Sequence, residues 1–282
     1  MVIETLFLIL IGLIWIIFAV VQDMKKREIA NWLNFSLVIF ALIFRFLYCL
    51  YENNGEYNFF YQGLIGFGVF FVIGNLLYYG KVFAGGDAKL MIALGAVIPL
   101  SQNFMINLEL ALIFIMLFLI IGAFYGICFS LYLGIKNRKA FAKEFSKQFR
   151  DNKKIIYLSL VLAIILILLS SFEKIFLFAA LLIFISPYMY IAAKAIDESC
   201  MIKKVNPKNL TEGDWLYKDI SVNGKVIKAR WEGLSDEEIK ILKKAKKIIF
   251  IRQGIPFSPV FLISYLFLIY IFMAQKWNLF YF

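Results

Sequence analysis

Long apolar runs separated by short polar segments make up most of the chain. A helix needs about 20 largely apolar residues to cross a bilayer. Runs of that kind predict spans at 2–22, 33–51, 59–80, 105–135, 155–171, 174–195 and 256–275, with a shorter run at 88–100. As a helix the short run rises about 20 Å, against roughly 30 Å of hydrocarbon. Either it continues past Pro99, or its ends are buried in protein. Counting it gives about eight crossings, with six or seven as alternatives. Glycines repeat at helix-packing distance on two of the spans, as Gly63, Gly66, Gly68 and Gly74 and as Gly122 and Gly126, where close approach of neighbouring backbones is their expected use.

The polar segments carry patterns of their own. At 136–154, Phe141, Phe145 and Phe149 recur every four residues among Lys139, Lys143, Lys147 and Arg150. That predicts a short helix lying in the membrane interface, with a solvated basic loop as the alternative. Between 197 and 254 the long apolar runs stop. Asn223-Gly224 there separates two short alternating stretches, a hairpin signal. Ser235 with Glu238 forms a capping box opening a helix to about Lys247, and Ile248–Arg252 reads as a returning strand. The fold class is therefore an all-α polytopic membrane protein with a small α+β domain inserted before the last span. Its parts are a membrane core over 1–135, a basic interfacial segment over 136–154, further spans over 155–196, the small cytoplasmic domain over 197–254 and a last span over 255–282.

Composition sharpens this. Of 282 residues, 62% are apolar and 17% charged, against roughly 45–50% and about 25% in soluble domains. A soluble enzyme, a disordered chain and a secreted disulfide scaffold are excluded. The net charge of +11 points in such a chain to anionic lipid headgroups as partners, not to nucleic acid. Of the 30 Lys and Arg, 27 lie on alternate connections, at 23–32, 81–89, 136–154 and 194–254. The positive-inside rule then places those segments in the cytoplasm and both termini outside. There is no histidine, and Cys49, Cys128 and Cys200 are too scattered for CxxC spacing. Imidazole chemistry, a metal site and any cofactor are not expected.

Charges at the ends of apolar spans cost energy and call for a reason. Asp23 ends the first span and Asp87 opens the fourth. Two spans lie between them, so both carboxylates are expected at the cytoplasmic boundary of the same membrane. Two carboxylates sharing a site hold one proton between them. The ionised member serves as general base on a water, while the protonated member hydrogen-bonds a scissile carbonyl. Interfacial charges that only reach for water are the plainer alternative. Gly85-Gly86 before Asp87 allows close backbone approach, and a turn with an Asp N-cap fits the same residues. Lys89 either tunes a neighbouring carboxylate or anchors to lipid phosphate.

At these residues the chain resembles the type IV prepilin and preflagellin peptidases, membrane aspartyl proteases with a GxGD signature. The resemblance rests on Asp23-Met24-Lys25-Lys26-Arg27-Glu28-Ile29-Ala30-Asn31, on Gly85-Gly86-Asp87-Ala88-Lys89-Leu90 and on the Ala93-Leu94-Gly95-Ala96 run. Asn209-Leu210-Thr211-Glu212-Gly213-Asp214, Gly233-Leu234-Ser235 and Gly254-Ile255-Pro256-Phe257 resemble the tail of archaeal members. Ala84 stands where the signature has its first Gly, and Ala30 where many members have Pro. The resemblance implies Asp23 and Asp87 as the catalytic pair, with Arg27, Glu28, Asn31, Gly85, Gly86 and Lys89 as supporting or substrate-binding residues. It implies an endopeptidase, without cofactor, that removes a short basic leader from pilin or archaellin precursors at the cytoplasmic membrane surface. It also implies no N-methylation, because the paired cysteines of the bacterial zinc domain are missing from the sequence. Two readings from other classes compete: a proton-coupled transporter using the same aspartates, and a membrane scaffold presenting 197–254.

Overall fold

The computed structural model describes residues 3–51, 56–222, 225–245 and 248–278. The helices are α1 (Ile3–Lys26), α2 (Asn31–Tyr51), α3 (Asn58–Tyr79), α4 (Gly85–Gly95), α5 (Phe104–Lys136), α6 (Arg138–Asp151), α7 (Lys153–Leu169), α8 (Ile175–Cys200), α9 (Asp236–Ala245) and α10 (Ser258–Asn278). The strands are β1 (Ile202–Val205), β2 (Trp215–Leu216), β3 (Ile220–Val222), β4 (Lys225–Ile227) and β5 (Ile249–Arg252). The chain divides into two compact units, residues 1–126 with 255–282, and residues 127–254.

Among the described residues, α1, α2, α3, α5 and α8 are long and apolar enough to cross a membrane. α6 and α7, joined at a 69° bend, qualify together as one more, and Ser258–Ala274 of α10 is apolar but shorter. Their outward faces carry large exposed apolar side chains such as Phe18, Phe40, Phe71, Phe124 and Leu182, as a lipid-facing surface does. The protein is a multi-pass helical membrane protein. Among the described residues eight full-length helical spans are not found: α4 stops at Gly95 after 11 residues, α7 has 17, and the apolar part of α10 is shorter than a span.

The first unit is built around that short helix. Leu90, Leu94 and Ile98 are buried with Leu8, Leu37 and Phe114. Beyond Gly95 the chain continues as irregular backbone through Pro99, and such backbone persists at membrane depth only where protein satisfies its carbonyls. Arg45 of α2 does so. Its fully buried guanidinium donates to the carbonyls of Phe59 at 3.0 Å, Ala96 at 3.1 Å, Val97 at 3.5 Å and Pro99. It also lies 4.4 Å from the Phe59 ring centroid. Residue 45 lies within the predicted span 33–51, and its side chain turns into the protein interior.

Glycines set how closely α3 approaches. A Cβ added at Gly74 would stand 2.6 Å from Ile92 Cγ1, and one at Gly63 would stand 2.5 Å from Arg45 Cδ. Gly66 lies against Gly95 and Pro99, whereas Gly68 faces open space, so three of the four glycines serve packing. On α5 the same split holds: Gly122 meets Phe257, and Gly126 meets nothing.

In the second unit, α6 forms over the basic segment and stacks Phe141 on Phe145 and Phe145 on Phe149, at 5.7 and 6.4 Å. Phe149 also packs 6.3 Å from Tyr188 of α8. The ring row is thus partly covered by protein. The strand β5 runs antiparallel between β1 and β2, which fits a returning strand. β3 and β4 pair as a hairpin, with Val222 opposite Lys225; its Asn223-Gly224 turn lies outside the described residues. The capping box is reciprocal. Ser235 N–H donates to Glu238 Oε2 at 3.0 Å, and Glu238 N–H to Ser235 Oγ at 3.4 Å. Leu216, Leu234, Ile239, Leu242, Ile249 and Ile251 close a small core of their own. The expected end of α9 near Lys247 also lies outside the described residues.

Candidate active site

Both aspartates belong to the first unit. Arg27 ends α1 in the left-handed region, with φ of 60°, and its N–H donates to the Asp23 carbonyl at 2.8 Å. A non-glycine residue there costs about 1–2 kcal/mol, so the turn is imposed by its surroundings. The chain then folds back: Ala30 N–H donates to Gln22 Oε1 at 3.0 Å, and Asn31 opens α2. Asp23 is held one turn before that reversal and is buried. Its Oδ2 accepts the backbone N–H of Ser258 at 3.2 Å, at the first residue of α10. A helix N-terminus is a favourable place for a carboxylate.

Asp87 is the third residue of α4. The N-cap is Ala84, in extended conformation with φ −70° and ψ 159°, and it makes no side-chain cap. An Asp N-cap is therefore not what Asp87 provides, because its carboxyl projects from the first turn. Gly86 lets the turn after α1 lie against α4: a Cβ there would stand 3.4 Å from Ile29 Cβ and 3.5 Å from Ile29 N. Gly85 is less confined, its nearest neighbour being the Tyr78 ring at 3.8 Å. With Ile29 seated on Gly86, Asp23 and Asp87 come into one neighbourhood, where the Asp23 charge acts on Asp87.

The supporting candidates are distributed unevenly. Lys89 Nζ donates to Asn31 Oδ1 at 2.7 Å, tying the first turn of α4 to the first turn of α2. Arg27 is half-buried, with Nη1 enclosed and without a hydrogen-bond partner, and Glu28 is exposed on the same turn. Among the described residues, no group of three or more Cys, Asp or Glu side chains gathers as a metal site would require. Two neighbours escape sequence reasoning. Ser258 is brought in from 235 residues away, and Tyr125 of α5 lies within electrostatic reach of Asp23. Only Gln22, a polar side chain next to Asp23 in an apolar run, left a readable signal.

Two carboxyls close enough to interact do not ionise independently. The pair can then take a proton from water with one member and hydrogen-bond a carbonyl with the other.

Comparison with known proteins meets this arrangement directly. Residues 10–131, which contain both aspartates, match the type IV leader peptidase family. The chain is similar to a preflagellin peptidase of Methanocaldococcus jannaschii, 36% identical over 90 residues, covering 32% of this chain and 37% of that protein. It is similar to those of Methanococcus maripaludis, 30% identical over 95 residues (33% and 39% of the two chains), and Methanococcus voltae, 30% over 89 residues (32% and 37%). In each case the matched stretch spans less than two thirds of the relative's own length. No solved structure matches the chain. The segment from residue 10 to residue 131, holding most of α1, all of α2 to α4, most of α5 and both aspartates, is similar to the type IV leader peptidase family.

Proposed function

We propose that the protein is an aspartic endopeptidase that removes the short basic leader from pilin-like or archaellin precursors. Asp23 and Asp87 are its catalytic pair. The observation that supports this reading is that Asp23, at the end of α1, and Asp87, at the start of α4, lie close enough for the charge of one to act on the other. Lys25, Lys26, Lys81 and Lys89 flank the same two helix ends. That distribution supports a cytoplasmic position for the site, where a precursor's basic leader gives way to its apolar helix.

The ionised member of the pair withdraws a proton from water. The water oxygen bonds to the scissile carbonyl carbon, while the other member donates a hydrogen bond to the carbonyl oxygen. Collapse of the tetrahedral species breaks the C–N bond, and the proton taken from water leaves with the new amine. The basic segments bind anionic headgroups and keep the enzyme at that surface, and neither a cofactor nor nucleic acid has a part in this reaction.

The test is cleavage of a purified precursor by the full chain in detergent, with expression matched among variants. Asp23→Asn and Asp87→Asn should each abolish cleavage, because Asn neither takes nor supplies the proton. Both should still fold, since Asn Oδ1 can accept the Ser258 N–H. Substantial turnover by either variant would sink the paired-aspartate reading and return the sequence to the transporter or scaffold alternatives.

A further inference from the structure

The N–H that Asp23 accepts comes from the first residue of a 21-residue helix. The first N–H groups of a helix have no partner within it, so this one serves a carboxylate without weakening α10. It acts both as a donor and as part of the positive end of the helix dipole. Both effects favour a charged carboxylate over a neutral acid. The Ser258 side chain takes no part, since its Oγ is enclosed without a hydrogen-bond partner. The contact belongs to the backbone.

Aromatic packing fixes the start of α10, and the same rings hold the approach to α4. Phe257 lies 5.6 Å from Phe118 of α5 and 6.2 Å from Phe83. Phe261 lies 4.6 Å and 6.2 Å from the same two rings. Phe83, Phe118 and Phe261 are buried, and Phe83 stands four residues before Asp87. Gly122 lets α5 come this close, because a Cβ there would stand 2.8 Å from Phe257 Cζ. One cluster therefore sets both the donor to Asp23 and the backbone that leads into Asp87.

We infer that Ser258 is the positioning residue of the aspartate pair: its backbone N–H holds Asp23 as the ionised member, the general base, and leaves the shared proton to Asp87. This rests on the peptidase reading above and adds which carboxyl performs which half of the chemistry. Asp23 takes the proton from water, and Asp87 donates to the carbonyl oxygen. The titratable groups around Asp23 are Asp87 on α4, Tyr125 on α5 and, on the turn after it, Arg27. All three stay in place when the N–H at 258 is removed, so a change in the titration of the base reports that N–H.

The test removes the N–H alone. The full chain carries lactic acid at position 258, which turns that one amide into an ester, and Ser258→Ala is the reference because it retains the N–H. A second ester, at Leu262, removes an N–H from the interior of α10 instead. kcat/KM for a precursor peptide is followed against pH in detergent. The ester at 258 should move the acid limb upward by about one to two pH units, as loss of a hydrogen bond to a charged group requires. At a pH on that limb the loss is about ten- to a hundredfold, and it is recovered above the shifted limb. The ester at Leu262 should lower the unfolding temperature and leave the limb in place. Should the ester chain not fold, Ser258→Pro puts a CH2 where the N–H stood, at a helix position that accepts proline, and should move the limb the same way. A limb that does not move in a folded chain lacking the N–H, or that moves as far with the ester at Leu262, overturns the inference and leaves the peptidase reading standing. A loss that no alkaline pH restores overturns it too, since the contact would then be structural only. Absence of cleavage by the wild-type chain overturns the peptidase reading itself, and this inference with it.

Discussion

A carboxylate at the end of a membrane helix is tolerable when donors hold it, and Asp23 and Asp87 differ in how they are held. Asp23 takes a backbone N–H from Ser258, while Asp87 rests on the first turn of a helix whose approach depends on Gly86. The geometry leaves little tolerance. Asp23→Glu or Asp87→Glu keeps the chemistry but moves the carboxyl by about 1–1.5 Å, and misplacement near 1 Å can cost about a hundredfold in turnover. Cleavage by either Glu variant should therefore drop by about that factor, measured as kcat on a precursor peptide. On the peptidase reading, in which the pair shares one proton, the pH profile follows as well. Both limbs of a plot of kcat/KM should fall, the acid limb as the base gains a proton and the alkaline limb as the shared proton leaves, and the apparent values belong to the pair. A profile flat on the alkaline side would place the proton elsewhere. Lys89→Ala removes an exposed link to Asn31, and its loss should cost less than tenfold. The two aspartates were legible in the sequence because a charge in an apolar run is conspicuous and the even number of spans between them puts them at one end. Ser258 was not, since it depends on a contact across 235 residues.

At the scale of elements, α4 decides the architecture. Its 11 residues rise only about 16 Å, so the irregular backbone beyond Gly95 completes its path, with carbonyls that need a donor. Hydropathy exposed the shortfall in length and left open whether the helix continued past Pro99; it stops at Gly95. Hydropathy did not reveal that Arg45, on another helix, would satisfy the carbonyls of Phe59, Ala96, Val97 and Pro99. Arg45→Met fills much of the space and supplies no donor. With unsatisfied buried groups costing about 1–3 kcal/mol each, the variant should lose about 3 kcal/mol or more, read as a lower unfolding temperature in detergent. The glycines of α3 give a matched pair. Gly74→Ala forces a Cβ to within 2.6 Å of Ile92 on α4, whereas Gly68→Ala meets nothing. The first should lower both thermal stability and cleavage, because α4 carries Asp87, and the second should change neither. Equal effects would mean that α4 is not positioned by this contact. Spacing alone could not separate the two glycines, since which face of α3 meets α4 is fixed by tertiary packing.

For the whole molecule, the sequence carried orientation through charge and the structure carries connectivity through contact, and the two can be set against one another. The ends of α2 and α3 that meet through Arg45 and Phe59 lie opposite the ends joined by Lys89 and Asn31. The chain therefore passes from one end of the first unit to the other between Asp87 and Phe104, even though α4 is too short to do so as a helix. Alternation of sides is kept, and with it the expectation that 136–154 and 197–254 share a compartment with the aspartate pair while the loop after α2 faces away. Single cysteines test this in intact cells. The background replaces exposed Cys128 by Ser and keeps buried Cys49 and Cys200, and an impermeant maleimide is the probe. Glu56→Cys should label from outside, whereas Ser146→Cys and Ser221→Cys should label only after the membrane is opened. If α4 and its continuation did not complete the passage, Glu56→Cys and Ser146→Cys would label from the same side. Labelling of 146 and 221 from outside, with 56 protected, would instead reverse the whole protein and put the carboxyls where no cytoplasmic leader could reach them. A precursor meets the membrane with its basic leader held back by the same charge rule that orients this chain. On the proposed function, enzyme and substrate can therefore present scissile bond and carboxyls to one another only if both obey that rule in the same sense.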